Sequence, residues 1–64
     1  MMRHTYELVE FDHESEADKV VRIFAVPVYA VDHEAYAEQH AYDYATLYGL
    51  PDADVGTRYL GVRA

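Results

Sequence analysis

The sequence predicts an α+β fold: a small three-stranded sheet with one amphipathic helix packed on it, in the order β-β-α-β. Three observations lead there. Residues 5–11 and 19–30 are rich in β-branched and aromatic side chains. Residues 32–48 begin at a capping residue and stop at Gly49, with Pro51 just beyond. Residues 56–62 then return to strand-like alternation. At 64 residues the chain is expected to form a single domain spanning 1–64.

In the first strand Tyr6 and Leu8 share one face, and Val9 and Phe11 the other. Either a bulge shifts the register or both faces are partly covered. Residues 12–18 are polar and acidic and should form a hairpin loop. The second strand offers Val21, Ile23 and Ala25 on one face and Val20, Arg22, Phe24, Val26 and Val28 on the other. Pro27 cannot donate a ladder bond, which argues for an edge strand, a bulge or a break. The row with Phe24 and Val26 is expected opposite the core face. It is more apolar than a solvated sheet needs, so Phe24 and Val26 are candidate partner-binding residues.

Asp32 is a good helix N-cap, and Glu34 lies near the positive end of the helix dipole. Helical spacing places Tyr36, Ala37, His40, Ala41, Tyr44, Leu47 and Tyr48 on the core face. It leaves Glu38, Gln39, Tyr42, Asp43, Ala45 and Thr46 outside. Residues 51–54 read as a loop. The last strand alternates Arg58, Leu60 and Val62 against Thr57, Tyr59 and Gly61. The first two strands should pair as an antiparallel hairpin; the helix crossover allows the third to return beside the first, parallel to the second, with strand order left open.

A domain this small buries only about 60% of the surface its unfolded chain exposes. With no cysteine, disulfides and thiolate metal sites are excluded. No stretch approaches the roughly 20 apolar residues needed to span a bilayer. Met1 to Val9 has no apolar run of the signal-peptide kind. A cytoplasmic protein is expected. The net charge of -7 repels nucleic acid and anionic membranes and favours a basic protein partner, while also promoting solubility.

His4, His13, His33 and His40 are the candidate bases. The triplet Asp-His-Glu occurs at residues 12–14 and 32–34, but the spacing matches no metal template, so neither metal nor cofactor is expected. His40 lies one helical turn from Tyr36 and from Tyr44, a packed histidine more readily than a proton relay. Ser15 is the only serine, and nothing places it beside a base. The three glycines form no phosphate-binding loop. An enzyme is not expected.

The seven tyrosines exceed what so small a core can hide. Tyr42, with Asp43, Glu38 and Glu34 beside it on the outer helix face, is the leading candidate for contacting lysine or arginine. The expected function is a non-enzymatic protein–protein interaction module with an acidic, tyrosine-rich surface, with a homodimer as one form. A second reading is an acidic inhibitor or nucleic-acid mimic. Virus-encoded blockers of host defence such as anti-CRISPR proteins are similar in size and charge, though no motif is shared. A third is a small oligomeric enzyme or ligand binder using His40, Tyr36 and Tyr44.

Overall fold

The computed structural model describes residues 2–64. In chain order it contains β1 (Arg3–Asp12), β2 (Ala17–Pro27), α1 (His33–Tyr48), a 3-10 turn (Asp52–Asp54) and β3 (Val55–Arg63). The sheet order is β2-β1-β3, with β1 antiparallel to both neighbours. β3 lies beside β1 and runs in the same sense as β2, which settles the strand order that the sequence left open. Pro27 ends the edge strand β2, where its missing donor is harmless.

The β1–β2 hairpin turns through residues 13–16. The Asp12 carboxylate accepts bonds from the Glu14 backbone N–H (3.0 Å) and the Ser15 hydroxyl (3.1 Å). These bonds, that of the Glu14 N–H first, hold the Asp12 carboxyl below its ordinary pKa. Glu16 completes the turn with φ 55°.

Two register shifts decide which side chains share a face. Leu8 opposes Arg22 while Val9 opposes Val20, leaving Val21 as the extra residue of β2. Thr5 opposes Gly61 while Tyr6 opposes Tyr59, leaving Leu60 extra in β3, beside Gly61 at φ 97°. The expectation for the faces of the second strand is reversed. Phe24 pairs with Tyr6, and Val26 pairs with His4 and is only 1% exposed. Cross-strand partners share a face, so the Phe24–Val26 row lies under α1 instead of away from the core. Beyond the bulge Val20 joins Ile23 on the uncovered face, where Ile23 is 61% exposed.

The helix also packs differently from its periodicity. Ala37 and Ala45 are its buried residues, whereas Tyr36, Leu47 and Tyr48 are exposed. The small side chains allow α1 to approach Leu8, Tyr6 and Val26 closely, and bulky residues are displaced to the flanks. Ala45 therefore belongs to the core, against the expectation. The caps are as expected. The Asp32 carboxylate accepts from the Ala35 N–H at 3.1 Å, and Gly49 turns left-handed at φ 66°. The Leu50 N–H then reaches back to the Ala45 carbonyl at 2.8 Å. Residues 51–54 contain a 3-10 turn, not an irregular loop. Among the described residues, no helix is long and apolar enough to cross a membrane.

Candidate functional site

Alternation along β1 points His4 and Tyr6 to the same side of the sheet, under the start of α1. The Tyr6 hydroxyl lies 2.5 Å from His33 Nδ1, and the His33 ring stacks on His4 at 3.7 Å with 9° between planes. His4 Nδ1 lies 2.9 Å from the Tyr59 hydroxyl. Tyr6, His33, His4 and Tyr59 thus form a chain of rings joining β1, the first turn of α1, and β3. Burial pushes the Tyr6 hydroxyl above its ordinary pKa, with the Glu34 carboxylate, Tyr59 and Asp32 adding to the effect.

This ring cluster forms one end of a groove between α1 and β3. The depression beside it, about 220 Å³, is lined by Tyr6, Glu34, Glu38, Thr57 and Tyr59. A larger one, about 500 Å³, adjoins it and shares Glu38 and Thr57. Ala41, Tyr42, Asp52 and Gly56 are among its other walls. The groove stays open where β3 presents the small Thr57 to the helix, opposite Leu8 on the same face. Tyr42 and Tyr59 are both about half exposed, at 56% and 48%. Together with exposed Tyr29, Tyr36 and Tyr48 they form an aromatic surface on the domain. Carboxylates beside aromatic faces offer both charge and ring quadrupole to a cation.

Of the partner-binding residues expected from sequence, Tyr42, Glu38 and Glu34 line this groove. Asp43 does not line it, and its carboxylate accepts from the Gln39 side-chain amide at 2.8 Å. Phe24 and Val26 are elsewhere. Val26 is buried, and Phe24 stacks on Tyr6 (5.5 Å) and on His40 (4.2 Å), so both support the core. The triad of Tyr36, His40 and Tyr44 does not assemble. His40 packs on Phe24, Tyr36 faces solvent, and the Tyr44 hydroxyl donates to Glu10 at 3.0 Å. Burial, together with Glu10, pushes the Tyr44 hydroxyl above its ordinary pKa.

The two Asp-His-Glu triplets stay apart. His13 pairs with Asp54 at 2.8 Å, while His33 joins the ring cluster. Among the described residues, no group of three or more histidine or acidic side chains is arranged to hold a metal ion. Sequence reasoning named His4 only as a candidate base, and did not single out Tyr59, Asp52, Gly56 or Thr57 as site residues. Period-two spacing puts His4 on the face of Tyr6, but the contribution of β3 depends on the Leu60 bulge, which no local signal marks. Comparison with protein-family models, curated proteins and solved structures finds no match to this chain.

Proposed function

We propose that this domain is a non-enzymatic protein–protein interaction module, binding a basic partner through the surface where α1 meets β3. One observation carries the reading: large aromatic side chains, Tyr42 and Tyr59, stay in solvent beside a groove walled by Glu34, Glu38 and Asp52. Tyrosine gives broad contact area at low entropic cost, and acidic neighbours steer a basic partner toward it. The groove and the ring cluster lie on rigid elements, so little ordering is needed on binding. The test is affinity capture from a lysate with the wild type and Tyr42→Ala in parallel. Tyr42→Ala should retain the circular dichroism of the wild type and lose its captured partners. Unchanged capture would remove this surface from the account.

A second reading, an acidic inhibitor or nucleic-acid mimic, draws on the distribution of cations. Between Arg22 and Arg58 the sequence contains no lysine or arginine, while Asp32, Glu34, Glu38, Asp43, Asp52 and Asp54 fall within it. Such an inhibitor displaces DNA or RNA from a basic protein with a steep dependence on salt. Competition that is insensitive to salt would exclude it.

A further inference from the structure

We infer that the α1–β3 groove holds an extended segment of the partner in which a lysine or arginine side chain enters each of the two depressions. The inference rests on the interaction-module reading above and goes beyond it by fixing the site and the chemistry of its occupant.

Charge complementarity selects that occupant. The larger depression has the Glu38 and Asp52 carboxylates on its walls, and the smaller has Glu34 and Glu38. Apart from Tyr6 and Tyr59, every wall residue comes from the stretch between Arg22 and Arg58 that lacks lysine and arginine. Arg58, next after Thr57, is turned away. Its guanidinium donates to Glu7 at 3.0 Å and lies 4.0 Å from Asp18, both on the uncovered face of the sheet. Among the described residues Glu34, Glu38 and Asp52 therefore have no ion-pair partner and are available to an external cation.

The shape suits long cationic side chains. Tyr42 borders the larger depression and Tyr59 the smaller, each offering a ring to a cation. Ala41, Val55 and Gly56 supply apolar surface for a methylene stem, with the charge left near the carboxylates. Tyr59 is anchored by His4 and Tyr6 by His33, so the smaller depression is formed before binding. The depressions adjoin at Glu38 and Thr57. Adjoining pockets suit alternate residues of an extended segment, because every second side chain points the same way.

The probe is a fluorescein-labelled nonapeptide of alternating lysine and threonine, followed by fluorescence anisotropy at low salt. Glu38→Gln and Glu14→Gln remove the same charge, one from the groove and one from the β1–β2 turn. The wild type should bind the peptide, and Glu38→Gln should weaken it about fivefold or more, the loss of about 1 kcal/mol. Glu14→Gln should change it by less than about twofold. Thr57→Phe, which fills the junction of the depressions, should abolish binding while circular dichroism stays unchanged. Equal weakening by Glu38→Gln and Glu14→Gln overturns the groove assignment but leaves the basic-partner reading standing, since attraction would then be spread over the whole charge. Failure of the wild type to bind at all overturns both. A glutamate–threonine peptide that binds as well as the lysine one also overturns the proposal.

Discussion

On its β2 flank α1 lies against an aromatic ring, for His40 stacks on Phe24 at 4.2 Å, and Phe24 in turn stacks on Tyr6. On its β3 flank the same helix faces Thr57, and a groove remains. The two strands run in the same sense on either side of β1, so backbone topology treats the flanks alike. Side-chain size makes the difference. A ring on β2 closes one flank and joins it to the core, whereas the small Thr57 on β3 leaves the other accessible. The contrast makes the first flank structural and leaves the second free for the partner binding proposed above.

The largest stability effect should come from beneath both flanks. Leu8 is fully buried at the centre of the sheet, and Leu8→Ala should lower unfolding free energy by about 3 kcal/mol in urea denaturation. For so small a domain that is a large part of the total. A loss below about 1 kcal/mol would mean that the core is not centred there.

The flanks themselves come next. Phe24→Ala should cost about 2 kcal/mol, less than a fully buried ring because Phe24 is only half-buried. Tyr42→Ala on the other flank should stay within about 0.5 kcal/mol. Comparable losses from the two would erase the division between a structural flank and an accessible one. Asp32→Ala removes the cap that positions the start of α1 and should cost about 1 kcal/mol, without abolishing the helix.

The smallest effect is a pH dependence. Tyr6 and Tyr44 have folded-state pKa values raised above the ordinary tyrosine value, chiefly by burial. Their contribution is complete below the unfolded tyrosine pKa and is lost as pH rises through the higher folded value. Thermal melts should therefore show a decline in stability at alkaline pH. The double variant Tyr6→Phe with Tyr44→Phe should decline less steeply. Equal slopes would show that neither hydroxyl contributes.

Element order and the Asp32 and Gly49 caps were legible because each depends on residues close in sequence, whereas Pro27 left an edge strand, a bulge and a break open for β2. The strand-two faces were not: both rows of β2 are apolar, so alternation does not say which one α1 covers, and the extra residue Val21 moves Val20 to the opposite side. Helix periodicity located an apolar side but ranked it by bulk. Tertiary packing kept Ala37, as expected, added Ala45 and left Tyr36, Leu47 and Tyr48 exposed, since a helix over a narrow sheet fits best through its smallest residues. Of the candidate site, Tyr42, Glu38 and Glu34 were visible as a helical cluster. Thr57, Tyr59 and His4 were not, because their meeting depends on the β1–β3 register.

The division between the flanks is tested most directly by nuclear magnetic resonance, mapping amide shift changes as the alternating lysine–threonine peptide is titrated into isotope-labelled protein. The account expects the changes to concentrate at Glu38, Ala41, Tyr42, Gly56 and Thr57, with Phe24, His40 and Ile23 unmoved. Changes centred on Phe24 and His40, or on Val20 and Ile23 across the uncovered sheet, would contradict it.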